Sequence, residues 1–217
     1  MKKTLIYPAI LLSCAITFSC GNSNKESKDT EQEESQSEES VSEPIGAIKS
    51  LTALESKMKD IEKHMNELKS KTPLSNDILK QAIPESIFDL KRKSLEVGGA
   101  SSMGLSNAEA DYENADGTKT IELTITDGAG EAASAFISLA MMGYAADSEK
   151  TDDEGYEKTQ EYKGHRAKLS EYTYDGTKES TIEWVYSNRF LVKLNGKGYS
   201  IEELGKAMES LNLSVLK

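Results

Sequence analysis

Apolar and polar positions divide this chain into stretches of different period. Residues 4–19 are mostly apolar, and residues 21–43 hold Val41 as their single large apolar side chain. From there apolar residues fall at Ala47, Leu51, Leu54, Met58, Ile61, Met65 and Leu68, an alternating 4-3 spacing with Lys and Glu filling the gaps. Such spacing draws one apolar seam along a helix. Pro44 suits the first turn of that helix, and Lys69 and Lys71 before Pro73 suit its last. An amphipathic, heptad-like helix over 44–72 is the expectation. His64, beside the seam, reads as a solvated helix residue.

Beyond Pro73 the period changes to two. After a short helical piece over 75–82, Thr120-Ile121-Glu122-Leu123-Thr124-Ile125-Thr126 alternates strictly, with its three aliphatic side chains on one face. Residues 108–113 alternate as well, and Asn114-Ala115-Asp116-Gly117 is strong turn chemistry, so 108–126 reads as a hairpin. Asp127-Gly128 ends the second strand and is placed to cap a helix through Ala132, Ala133, Phe136, Ile137, Leu139, Ala140 and Met141, whose apolar stripe suits close packing on a sheet. A meander follows at 156–163, 165–174, 180–186 and 189–195, broken at Gly164, Asp175-Gly176 and Ser187-Asn188. Asn195-Gly196-Lys197-Gly198 turns the chain. Ser200-Ile201-Glu202-Glu203 has the form of a capping box, opening a last helix with Ile201, Leu204, Met208 and Leu211 on its apolar side. Strands without βαβ alternation, and two helices among them, predict an α+β fold over 73–217: an antiparallel sheet with two helices packed on it in a two-layer sandwich. No internal repeat is visible, and residues 85–217 resemble no named family.

Met1-Lys2-Lys3 ahead of the first apolar run gives 1–19 the build of an export signal, too short and too rich in Ser and Thr to span a bilayer. At its end, Ser19-Cys20-Gly21 resembles the cleavage site of bacterial lipoproteins. The resemblance is confined to these twenty-odd residues. It implies that Cys20 becomes the acylated first residue and anchors the chain to a membrane. Thr17 stands where that family usually has Leu, and Leu11-Leu12-Ser13-Cys14 fits the family's pattern better. Cleavage at Cys14, or secretion without a lipid, therefore stays open; each alternative places the chain outside the cytoplasm. Gly21 in place of Asp after Cys20 is similar to lipoproteins that leave the inner membrane, which implies a place on the outer membrane, on its periplasmic or its surface face.

Residues 20–43, built almost entirely from Ser, Glu, Gln, Lys, Asp and Asn, cannot bury enough surface to offset their chain entropy. They read as a disordered acidic tether and a plain spacer; the resemblance to lipoproteins implies a surface address as the alternative role. Removing Lys2 and Lys3 with the signal takes the formal charge from −11 to −13. Acidity of that order disfavours nucleic acid and anionic head groups as partners, since both require basic surface. Cys14 and Cys20 are the only cysteines, so no disulfide is available to the folded part, which must be held by its own core.

Catalytic chemistry is sparse. His165 is the only histidine after residue 73, and a general base working on a nucleophile needs partners that the sequence does not set beside it. Gly128-Ala129-Gly130 and Gly196-Lys197-Gly198 lack phosphate-loop spacing and read as turns. Between Lys150 and Glu161, the residues Asp152, Glu154, Gly155 and Glu161 fall at EF-hand-like positions, yet Lys150 puts a cation where the first carboxylate must sit, so an acidic loop is expected there. No cofactor and no metal are expected. Tyr156, Tyr162, Tyr172, Tyr174, Tyr186, Tyr199 and Trp184 crowd the meander, either as an aromatic face for sugars or a protein partner or as amphipathic lids over a small core.

A non-enzymatic, membrane-tethered envelope protein with a binding or interaction domain is the leading expectation. Its alternatives are a carrier or sensor of a small ligand or lipid, and a carboxylate-dependent hydrolase. The expected contact surface for a partner, or for a second copy, is the seam Leu51, Leu54, Met58, Ile61, Met65 and Leu68.

Overall fold

A computed structural model describes residues 43–217, with side chains described at 55, 56 and 58–217. The signal, Cys14, Cys20 and all of the tether but Glu43 lie outside the described residues. In chain order the elements are α1 (Glu43–Lys69), α2 (Asn76–Ala82), β1 (Ser86–Ile87), β2 (Leu90–Val97), β3 (Ser106–Glu113), β4 (Thr120–Asp127), α3 (Glu131–Gly143), β5 (Ser148–Thr151), β6 (Gly155–Tyr162), β7 (His165–Tyr174), β8 (Thr177–Tyr186), β9 (Phe190–Lys197) and α4 (Ile201–Ser210). The nine strands form one antiparallel sheet in the order β1-β2-β3-β4-β9-β8-β7-β6-β5.

Strand β4, with its strict alternation, becomes the joint between the first hairpins and the meander. It pairs on one side with β3 and on the other with β9, where Leu123 faces Leu194 and Ile125 faces Val192. Turn chemistry sets the register of the meander. Lys163-Gly164 and Asp175-Gly176 both adopt positive φ (49° and 79°, 50° and 75°), which makes two-residue hairpin turns whose twist matches the strands they join. Three strands are not marked by alternation. β2 carries a bulge between Arg92 and Ser94, β1 is two residues long, and β5 is exposed throughout.

One face of the sheet carries the main core. Ile121, Leu123 and Ile125 of β4, Val192 and Leu194 of β9, and Trp184 of β8 pack with Leu79 of α2 and Leu204 of α4. α4 opens with the expected capping box: Ser200 Oγ accepts from Glu203 N at 3.3 Å, and Ser200 N donates to Glu203 Oε2 at 2.8 Å. On the opposite face Leu68 of α1, Ile137 of α3, Tyr144 just after α3, and Leu191 of β9 form a second cluster. The α+β class and the antiparallel sheet stand, but the expected two helices on one layer do not. α4 and α3 lie on opposite faces, because β9 is apolar at consecutive positions (Phe190, Leu191, Val192) and so offers a packing surface to both sides.

The sequence places Asp127 as a helix cap, and the structure corrects this. α3 begins at Glu131 with Gly130 before it, and Asp127 is fully buried in an ion pair with Arg189. Arg189 Nε donates to Asp127 Oδ1 at 2.7 Å and Nη2 donates to Oδ2 at 2.8 Å, a two-pronged match of guanidinium to carboxylate. The same carboxylate accepts from Leu74 N at 2.7 Å and Ala129 N at 3.0 Å, and Arg189 Nη2 also donates to Thr72 O at 3.1 Å. The pair thus ties the end of β4 and the start of β9 to the connector that leaves α1. Gly128 is required beside it, since a Cβ there would lie 2.6 Å from Arg189 O and 2.6 Å from Ile137 Cγ1.

Because removing one partner strands a buried charge, Arg189→Met is expected to cost about 3–5 kcal/mol in denaturant unfolding. The double change Asp127→Asn with Arg189→Met is expected to lose less than Arg189→Met alone. A loss under 1 kcal/mol for Arg189→Met would contradict the assignment.

Candidate functional site

α1 and α3 meet as an antiparallel pair. Gly130 N donates to Leu68 O at 3.1 Å and Lys69 Nζ pairs with Glu131 at 2.5 Å, so the end of α1 lies at the start of α3. α1 has 27 residues and α3 has 13, so α3 runs alongside only the second half of the seam. The burial follows that geometry. Leu68 is fully buried, Met65 and Ile61 are half-buried, and Met58 is 53% exposed. Leu51 and Leu54 lie in α1, but their side chains fall outside the described residues. His64 is docked rather than solvated: its Nε2 donates to Asn188 O in the β8–β9 turn, and Glu67 lies 3.9 Å from Nδ1. A helix period alone does not show what lies across from such a residue.

α3 departs from its sequence reading in a way that bears on binding. The face against α1 and the sheet uses Ala133, Ser134, Ile137 and Ser138. Phe136, Leu139 and Met142 point away from it and are 45%, 68% and 47% exposed. A helix that is apolar on both faces yet covered on one leaves an apolar stripe in water, which is a common mark of an interaction surface. Beside the stripe a cleft of about 470 Å³ separates Phe136, Leu139 and Gly143 from Glu157, Lys168 and Glu183 of the sheet. At its floor the Tyr144 hydroxyl donates to Glu183, and burial together with that carboxylate pushes the phenol pKa upward, keeping it uncharged.

The other sequence candidates are dispersed. Residues 148–162 form the β5–β6 hairpin in place of an acidic loop, with Asp152 Oδ1 accepting from Glu154 N and Gly155 N to close its turn. Glu161 sits near the far end of β6, so the EF-hand-like positions do not converge. Among the described residues no group of three His, Cys, Asp or Glu side chains is placed to hold a metal ion. His165 lies with its ring centre 6.4 Å from those of both Trp184 and Tyr186. With Met208, Leu211 and Leu213 these rings line a cleft of about 320 Å³ under the end of α4, where the buried Trp184 indole N–H has no hydrogen-bond partner. The aromatic residues of the meander divide between the two faces. Tyr156, Tyr162, Tyr186 and Tyr199 pack on the main core, whereas Tyr172 and Tyr174 stand on the opposite face.

Glu109 belongs to an acidic row on that opposite face. Partial burial, with Glu122, Asp111 and Glu96 nearby, raises its carboxyl pKa above the ordinary value. No family model, no curated protein and no solved structure matches the chain. Among the described residues no helix is long and apolar enough to cross a membrane.

Two outcomes follow from these placements. Leu68→Ala removes a side chain buried between α1, α3 and β9 and is expected to cost about 2–5 kcal/mol in denaturant unfolding, while Met58→Ala stays within about 0.5 kcal/mol of the parent. Equal losses at the two positions would refute the half-docked seam. Glu109→Gln is expected to stabilise at pH 7 by about 0.2–1 kcal/mol. A raised folded-state pKa means that the repulsion is present above that pKa and relieved as pH falls through it, so the gain should vanish in acid. Thermal melts of both chains at pH 7 and pH 4 check the sign.

Proposed function

We propose that the chain is a membrane-tethered envelope protein, held by a lipid on Cys20 after a tether over 21–43, whose domain works by binding another protein and performs no catalysis. The observation that carries the reading is the exposed stripe Phe136, Leu139 and Met142 on α3. Large apolar side chains held on a packed helix are stable in place before any partner arrives, so little ordering entropy is lost on binding. The partner is a protein different from this chain. A mature formal charge of −13 sets two copies against each other, whereas a neutral or basic partner with an apolar ridge meets no such cost. The outer membrane remains the proposed location, on the resemblance at Ser19-Cys20-Gly21 alone. A second reading, a carrier of a small ligand, is favoured by the aromatic cleft at His165, Trp184 and Tyr186 and by the unpaired indole N–H there.

A photo-crosslinking amino acid placed at position 139 in intact cells tests the first reading, with position 206 on α4 as the control. One discrete heterologous adduct is expected at 139 and none at 206. With Cys20→Ala the chain should leave the membrane fraction and lose the adduct. No adduct at 139, an adduct of two copies of the chain, or equal yield at 206 would overturn the reading.

A further inference from the structure

The sheet face that carries α1 and α3 at one end is open at the other. Strand register builds two polar rows there. The first runs across neighbouring strands as Tyr172, Glu179, Lys197, Thr120 and Glu113. The second runs parallel to it as Ser170, Thr181, Asn195, Glu122 and Asp111. Directly opposed residues on adjacent strands lie about 4.5–5.5 Å apart, so each row is a continuous line of side chains. Between β2 and β7 the surface crosses five strand spacings, about 24 Å. Most of these residues, with Lys93, line a shallow cleft of about 550 Å³.

The chemistry along the rows is mixed rather than of one sign. Carboxylates of Asp111, Glu113, Glu122 and Glu179 accept, the ammonium groups of Lys93 and Lys197 donate, and the hydroxyl of Thr120 does both. Thr181 Oγ1 donates to Asn195 Oδ1 at 2.9 Å, which fixes that amide and leaves its NH₂ to donate outward. At the end of the first row Tyr172 and Tyr174 lie nearly parallel, with ring centres 6.0 Å apart and planes 13° from each other, and Tyr174 is 44% exposed. Two aligned aromatic rings beside closely spaced donors and acceptors suit a molecule whose flat faces are C–H and whose edge is hydroxyl. That is a sugar ring.

We infer that this open sheet face is a binding platform for an uncharged glycan chain, laid along the two rows with a sugar stacked on Tyr172 and Tyr174. Several features select this occupant. Four carboxylates against two ammonium groups repel nucleic acid and acidic polysaccharides. The strands beneath are interior to the sheet, with their backbone groups already paired, so an extended peptide cannot add as a strand. An open shallow surface suits a polymer that makes many weak contacts, while a small molecule would be left mostly in water. The platform is separate from the α3 stripe and does not depend on it.

Co-sedimentation of the full-length, detergent-solubilised chain with three uncharged polymers, chitin, cellulose and curdlan, tests the inference. Retention on at least one of these is expected. It should persist at 1 M salt, where the Debye length is about 3 Å, because no ion pair with the ligand is involved. Tyr172→Ala with Tyr174→Ala should weaken retention roughly tenfold, and Tyr174→Phe should leave it within about twofold, since the ring face is kept. If thermal melts show the double variant to be unfolded, Tyr174→Ala and Glu122→Gln, both at solvent-facing positions, carry the test with the same expected direction. Retention on none of the three polymers overturns the inference. So does retention that salt abolishes, or that the tyrosine changes leave untouched.

Discussion

The ion pair between Asp127 and Arg189 is the constraint on which the arrangement of layers depends. It is buried where four pieces of chain converge: the end of β4, the start of β9, the connector from Thr72 to Leu74, and the entry to α3. A pair in such a place contributes through geometry more than through net energy, because desolvation offsets most of the attraction between the charges. Its two-pronged match accepts one orientation of each side chain, and the carboxylate's remaining lone pairs take the backbone N–H groups of Leu74 and Ala129. The connector is thereby held so that α1 leaves the sheet toward α3. Leu68 then completes the small core on that face, and the α3 stripe is presented on a rigid support.

Much of the fold was legible because it follows from side-chain period and turn chemistry. β4 shows its alternation in seven residues, the meander shows its breaks in Lys163-Gly164 and Asp175-Gly176, and α4 shows both ends of a capping box. β1, β2 and β5 were missed for one physical reason. They are edge or near-edge strands with little buried surface, and β2 has its alternation interrupted by a bulge, so their sequences carry almost no apolar signal. The second helical layer was illegible for a different reason. Consecutive apolar residues at 190–192 mark a strand covered on both sides, but they do not say which helix covers which side.

The candidate sites show the same division. The α1 seam was visible as a pattern, yet its half-burial depends on the difference in length between α1 and α3, a property of two elements together. Asp127 and Arg189 are 62 positions apart, and nothing in either neighbourhood announces the other. The exposed stripe of α3 is not separable from a packing stripe by sequence, since Phe136 and Leu139 are as apolar as Ile137 between them, which is buried. Two polar rows and a tyrosine pair emerge only once register sets residues from five strands side by side. Fold and surface together describe a packed sheet-and-helix domain, with titratable groups engaged in structural hydrogen bonds at Asp127, Glu183 and Glu203.

Hydrogen exchange of the wild-type chain against Arg189→Met reads the central constraint most directly. If the pair latches α1 to the sheet, amides of 61–69 and 131–137 lose protection together in the variant, while those of β6, β7 and α4 keep theirs. Uniform loss across all elements, or full protection of 61–69 without the guanidinium, would contradict the latch.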